Sequence, residues 1–199
     1  MEIPVYKMEL DPNEPKLGMK IMSMVDAPAI MVNWVKFKDS QQVKFAIDNE
    51  EERIVFAPAL IPDMPIYRNV GGKEFYLTID APTIQATAIK FAKDNLSNNL
   101  DVNHDGNIVK DVTIFESFIT SENRVQAAKG FEDLPLGTWF ISAKVNNDEV
   151  WNRIKSGELN GFSIHALFTF GKAESNDNSE AEAQIEEILN SKTFLSIIQ

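Results

Sequence analysis

The sequence offers one serine and two histidines that could carry nucleophilic chemistry. Ser163 is a polar residue at the start of the apolar segment 161–170. The 199 residues contain only two histidines, His104 and His165, and no cysteine, which excludes thiol nucleophiles, thiolate metal sites and disulfides. A serine attacks an acyl carbon only when a base takes its proton, and imidazole has a pKa of ~6.5, close to working pH. The residues therefore allow acyl-transfer chemistry if folding brings a histidine to Ser163.

His104 is the better candidate for that base. It ends a predicted strand at the polar turn 101–105, whereas His165 lies two residues after Ser163 on the same strand face, about 6–7 Å along the backbone. We expect His165 to line the site. We expect the preceding turn, 157–161, to leave Ser163 accessible and to offer backbone N–H groups to an oxyanion. Taken singly, each residue is more simply interpreted as structural: His104 as a hydrogen-bonded histidine and Ser163 as a small residue tolerated on a sheet face.

Residues 101–112 also resemble an EF-hand calcium loop. Oxygen-bearing residues occupy loop positions 1, 3 and 5, at Asp101, Asn103 and Asp105, and Gly106 stands at position 6. Position 12, where a bidentate Glu is needed, is Val112, and the segment after it is typical of a strand. A calcium-binding module at 101–112 is therefore a lesser alternative to a β-turn on residues 105–107.

Composition restricts the class of protein. The net charge of −11 disfavours proteins that bind nucleic acid or anionic membranes through clustered basic residues. No apolar run reaches the ~20 residues of a membrane span, and the N-terminus does not resemble a secretory signal. We expect a soluble, acidic, intracellular protein with no cofactor, no metal, no nucleic acid and no membrane partner.

Hydrophobic periodicity predicts an α+β or closed-sheet β architecture of about ten short strands and two or three helices. The helices are expected at 83–96, 148–156 and 180–190, with Asp80 and Asn147 near the starts of the first two. Residues 1–171 form the predicted domain, with its core at roughly 50–170. An acidic linker (172–179), the third helix and an apolar tail (193–198) make up residues 172–199.

The ordered segments resemble the phage serine proteases of the XkdF-like group. Asn103-His104-Asp105 followed by 112–119 is similar to the histidine segment of that family. The nucleophile region of the family is matched by three segments, at 137–145, 149–151 and 155–164. Its opening strand is matched by residues 54–62. The resemblance covers roughly residues 50–170 in matching order.

The resemblance implies a prohead (head maturation) protease, a hydrolase of virion assembly. Its fold would be a mainly antiparallel β-barrel with surrounding helices, like herpesvirus assemblin. The enzyme would be a serine endopeptidase inside the assembling prohead in the host cytoplasm, and it would cleave scaffold, major capsid protein and itself. Ser163 would be the nucleophile and His104 the general base. A homodimer through the C-terminal helix and self-cleavage in the linker would fit the same family.

The third catalytic residue stays open at this stage. Glu116 lies in the matched segment and could orient His104 if a hairpin through 105–111 brings its strand beside that histidine. A solvent-exposed carboxylate on a strand, with no catalytic role, is an equally good interpretation of Glu116. His165, as an assemblin-like second histidine, Asp105 and Asp111 are the alternatives. A non-catalytic structural or scaffold-like head protein of the same fold is the alternative function.

Overall fold

The computed structural model describes residues 3–27, 45–123, 130–171 and 180–190. The predicted strand at 32–37, part of the one at 43–47, the linker at 172–179 and the tail at 193–198 lie outside them. The elements, in chain order, are β1 (Val5–Glu9), β2 (Gly18–Val25), β3 (Ala46–Asn49), β4 (Ile54–Leu60), β5 (Ile66–Val70), β6 (Lys73–Ile79), α1 (Ala81–Lys93), a 3₁₀ turn (Leu96–Asn98), β7 (Leu100–Val102), β8 (Val112–Ile119), β9 (Trp139–Val145), α2 (Asp148–Lys155), β10 (Gly161–Leu167), β11 (Thr169–Phe170) and α3 (Glu180–Asn190).

The strands form three sheets, with the orders β11-β1-β6-β5, β10-β2-β7 and β3-β4-β9-β8. All pairings except β1–β6 and β2–β7 are antiparallel. The α+β prediction is therefore confirmed. The expected closed barrel is wrong for the described strands, which form three open sheets. The reason is topological: each sheet is joined by a pairing between strands far apart in the chain, β1 with β6, β2 with β7 and β4 with β9, and the edge strands of these described sheets do not pair with one another.

One hydrophobic core joins the three sheets. Each sheet contributes one apolar face, and helices contribute the rest. A representative residue from each of the three sheets and from α1 and α2 is fully or almost fully buried: Leu77, Met22, Ile141, Ile84 and Trp151. This shared core holds the sheets in fixed relation to one another, so a site built on the β10-β2-β7 sheet rests on a rigid support.

The helices begin where their capping residues predict. The Asp80 carboxylate accepts a hydrogen bond from the amide of Thr83 at 2.8 Å, and the Asn147 side chain accepts one from Val150 at 3.1 Å. No helix in the described part of the chain is long and apolar enough to cross a membrane.

Helix α3 confirms the third predicted helix, and it packs against the domain. Ile185 and Leu189 are both 2% exposed and belong to the main core. Side chains four positions apart share one face of a helix, so this pair forms a narrow apolar stripe that contacts the sheets.

Candidate active site

The site is built on a row of three polar residues across the β10-β2-β7 sheet. Strand register places Ser163 of β10 opposite Ser23 of β2, and Ser23 beside Asp101 of β7. Directly paired residues point to the same side of a sheet. Their sequence neighbours, such as Met22 and Phe162, point to the other side and belong to the core. The alternation of each strand thus puts Ser163, Ser23 and Asp101 on a common face.

The turn after β7 carries His104 over this row. Asn103 and His104 both have positive φ, 52° and 56°, and the amide of Asp105 donates to the carbonyl of Val102 at 3.2 Å. Positive φ at both central residues is the signature of a type I′ turn, which Asn favours. The Asn103 side chain accepts a hydrogen bond from the Asp26 amide at 3.1 Å, which ties the turn to the end of β2.

Both ring nitrogens of His104 contact serine hydroxyls. Nε2 lies 3.0 Å from Ser163 Oγ, and Nδ1 lies 2.8 Å from Ser23 Oγ. Ser23 Oγ in turn donates a short hydrogen bond to Asp101 Oδ1, and Asp101 Oδ2 accepts one from the Gly106 amide at 2.9 Å. The result is a continuous chain of hydrogen bonds from Ser163 through the imidazole to a buried carboxylate.

The surroundings of His104 favour its neutral form. Burial lowers the pKa of this imidazole below its usual value; the Asp101 carboxylate opposes the shift, while His165 and Arg68 add to it. Arg68 is itself half-buried, and burial lowers its pKa to about 10. A neutral imidazole has a lone pair to accept a proton, so these charges suit a general base.

The structure brings together Ser163 and His104, and it places His165 beside them. The rings of His104 and His165 are 6.4 Å apart between centroids and nearly perpendicular. His165 follows Ser163 by two positions on β10 and is half-buried. It lines the same side of the sheet, which is where the sequence predicted it.

Glu116 is not brought to His104. It lies exposed on β8, in another sheet, and accepts a short hydrogen bond from Ser142. A bulge at Phe115 places Ile114 opposite Ala143 but Glu116 opposite Ser142. Glu116 therefore faces away from Ile114, contrary to the alternation of a regular strand.

The two aspartates proposed as alternatives are turn residues. The Asp105 carboxylate accepts a hydrogen bond from the Asn107 amide at 2.8 Å. Asp111 has a positive φ of 64°, and its backbone carbonyl accepts hydrogen bonds from the amides of Asn146 and Asn147. Serine hydroxyls contact both ring nitrogens of His104, and among the described residues no carboxylate hydrogen bonds the imidazole directly.

The turn before Ser163 differs from the expectation. Ser163 is the third residue of β10, as expected, but it is buried, with only 7% of its surface exposed. The amides of residues 157–160 all donate to backbone carbonyls: those of Ile154, Arg153, Arg153 and Val25, in order. Those four N–H groups are engaged in holding the turn, so they are not available to an oxyanion without rearrangement.

The side-chain oxygens of the calcium-like loop are engaged in other hydrogen bonds. The Asp101 carboxylate bonds Ser23 and the Gly106 amide, Asn103 bonds the Asp26 amide, and Asp105 bonds the Asn107 amide. Val112 begins β8, as the sequence predicted. Within the described ranges no three His, Asp or Glu side chains are grouped so as to hold a metal.

Sequence reasoning missed Ser23 and assigned Asp101 to a calcium motif. Both are 0–1% exposed. The signal that could have found them is the one that identified Ser163: a polar residue flanked on both sides by apolar ones. Ser23 stands between Met22 and Met24, and Asp101 between Leu100 and Val102.

A serine hydroxyl within hydrogen-bond distance of an imidazole is the arrangement that a serine nucleophile requires. The chain belongs to the family described as "Putative phage serine protease XkdF", which it matches over residues 42–170. That range contains Ser163, His104 and Asp101, whereas Ser23 precedes it. Comparisons with curated proteins and with solved structures found no match, and the likeness to the assemblin fold stays a prediction.

Proposed function

We propose that the chain is a serine endopeptidase with Ser163 as nucleophile and His104 as general base. The observation that carries the proposal is the 3.0 Å contact between Ser163 Oγ and His104 Nε2 in a member of a phage serine protease family. The low pKa that burial imposes on His104 keeps the ring neutral and able to accept the serine proton.

The reaction follows from the two contacting atoms. As Ser163 Oγ bonds the peptide carbonyl carbon, its proton passes to His104 Nε2. When the C–N bond breaks, the imidazolium returns that proton to the leaving amine, and an acyl-enzyme remains. Water then attacks the ester, its proton passes to Nε2, and the proton returns to Ser163 as the acid product leaves.

The proposed substrates are the scaffold and major capsid proteins of the phage, together with the chain itself. Membership of a phage protease family supports this substrate class. Cleavage would take place inside the assembling prohead, in the host cytoplasm, where enzyme and substrates are concentrated together.

Co-expression with the capsid and scaffold proteins of the same phage tests the proposal. Wild-type protein should shorten at least one of them, as seen by intact mass. Ser163→Ala should abolish that shortening without loss of folding, because it removes one hydroxyl. Ser142→Ala is the matched control: it also removes a buried hydroxyl, but one that bonds Glu116. The proposal would be contradicted if Ser163→Ala still shortened the capsid or scaffold protein. It would also be contradicted if Ser142→Ala lost this activity while Ser163→Ala kept it.

A further inference from the structure

We propose that Ser23 and Asp101 are positioning residues that fix the tautomer of His104 through a hydroxyl bridge. The Ser23 hydroxyl lies between Nδ1 of His104 and the carboxylate of Asp101, and it contacts both. The catalytic consequence rests on the proposed function, but the tautomer itself is a property of the folded chain.

The carboxylate sets the direction of every hydrogen bond in the chain. An ionised carboxylate only accepts, so Ser23 must use its single O–H to donate to Asp101. The Ser23 oxygen then has only lone pairs left for the imidazole, so His104 must carry its proton on Nδ1. Nε2 is consequently unprotonated and faces the hydroxyl of Ser163, which is the arrangement a general base requires.

Burial makes this direction hard to reverse. Ser23 is 0% and Asp101 1% exposed, so neither side chain can exchange its partner for bulk water. The second carboxylate oxygen is also committed, since it accepts from the Gly106 amide at 2.9 Å. An unsatisfied buried donor or acceptor costs about 1–3 kcal/mol, which holds the network in one arrangement.

The same bridge stabilises the charged form of His104 during the reaction. When Nε2 takes the Ser163 proton, the imidazolium still donates from Nδ1 to Ser23, and Ser23 still donates to Asp101. The negative carboxylate raises the pKa of His104, so it favours the imidazolium at that moment. No proton has to reach Asp101.

Asparagine at position 101 would reverse the polarity of this network. If the amide oxygen keeps the bond from Gly106, the amide nitrogen faces Ser23 and donates to it. Ser23 must then donate to Nδ1, which puts the ring proton on Nε2, where it opposes the Ser163 hydroxyl. Ser23→Ala removes the bridge by a different route, so the two variants test the inference independently.

Nitrogen NMR of the imidazole rings measures the tautomer directly. The chain has only two histidines, so His165→Gln leaves His104 as the single signal. At about pH 8.5, well above the ordinary histidine pKa of ~6.5, the ring is neutral. We expect the proton on Nδ1 in this protein, and a shift toward Nε2–H in Asp101→Asn and Ser23→Ala. Nε2–H in the protein with both residues intact would overturn the inference.

The matched control is Asp105→Asn, since that carboxylate lies in the same loop but accepts its hydrogen bond from the Asn107 amide, outside the site. It should leave the tautomer on Nδ1. In the labelling of Ser163 by a fluorophosphonate, Asp101→Asn should be slower by roughly 10²- to 10⁴-fold and Asp105→Asn unchanged. An unaltered tautomer in folded Asp101→Asn and folded Ser23→Ala would contradict the inference.

The two proposals fail in different ways. If the protein never labels or cleaves anything but shows the Nδ1 proton and its loss in the variants, the proposed function is wrong and the hydroxyl bridge stands. If Ser163 is labelled but the neutral His104 ring carries its proton on Nε2, the hydroxyl bridge is wrong and the assignment of Ser163 as nucleophile stands.

Discussion

Ser23 lies directly opposite Ser163 on the neighbouring antiparallel strand, and one imidazole contacts both hydroxyls. The pairing register of β2 and β10 thus determines the site. A slip of one residue would turn Ser23 to the core side of the sheet. The site therefore depends on the packing that fixes this register, above all on the buried methionines on the other face of β2, Met22 and Met24.

The pH dependence of the reaction should reflect the environment of His104. Burial lowers the pKa of this imidazole, so the neutral base persists below ~6.5, the ordinary value. The rate of fluorophosphonate labelling should fall as the pH drops through this lowered pKa. Stability should fall in the same direction, because the unfolded chain binds the proton at higher pH than the folded one.

A charge variant tests the cause of this shift. The Arg68 cation lowers the pKa of His104, so Arg68→Met should move the acidic limb of the labelling rate to higher pH. Arg53→Met, which removes a cation paired with Asp148, should leave the limb in place. A limb that moves to lower pH in Arg68→Met would contradict this description of the site.

The backbone at Gly106 should matter to activity as well as to stability. Gly106 has a φ of +75° and donates its amide to Asp101. Gly106→Ala should cost about 1–2 kcal/mol and slow labelling, because a side chain is strained in this conformation and relief of the strain displaces the amide that donates to the carboxylate.

Gly72→Ala is the control for that change. Gly72 has a φ of +80°, and neither glycine has an atom within 4 Å of an added Cβ. The strain is therefore matched, but the β5–β6 turn supplies no hydrogen bond to the site. Urea unfolding should show similar losses for both variants, and equal labelling rates for both would show that the Gly106 contact has no role.

Calcium should not stabilise the protein. The side-chain oxygens of Asp101, Asn103 and Asp105 bond separate backbone amides and point to different partners. Thermal melts with millimolar calcium and with chelator should coincide. A calcium-dependent rise in Tm that is lost in Asp105→Asn would restore the calcium-binding interpretation.

Helix α3 should contribute to the stability of the domain. Leu189 is 2% exposed in the main core, so Leu189→Ala should lower the free energy of unfolding by about 2–5 kcal/mol. Glu187→Ala, on the exposed face of the same helix, should change it by less than about 0.5 kcal/mol. Equal effects would show that the helix does not pack as described.

Local signals predicted the local structure well. The capping residues Asp80 and Asn147 mark the starts of α1 and α2, and Ser163, a polar residue flanked by apolar ones, marks the face of β10 that carries the site. These features depend on neighbours a few positions apart in the chain, so their physical causes are visible in the sequence.

Long-range pairing could not be read in the same way. Ser23 and Asp101 are 78 positions apart and meet only because β2 and β7 pair in parallel. The bulge at Phe115, which turns Glu116 away from Ile114, also depends on the partner strand. The same limit explains the incorrect barrel, because the edges of a sheet are set by which distant strands pair.

The most direct test of the account is the mass of the protein after exposure to a fluorophosphonate, with the modified peptide identified. The account predicts one adduct, on Ser163, that is absent in Ser163→Ala. It should also be lost in His104→Asn, in which asparagine tolerates the positive φ of 56° but supplies no base. An adduct on another serine, or undiminished labelling of Ser163 in folded His104→Asn, would contradict it.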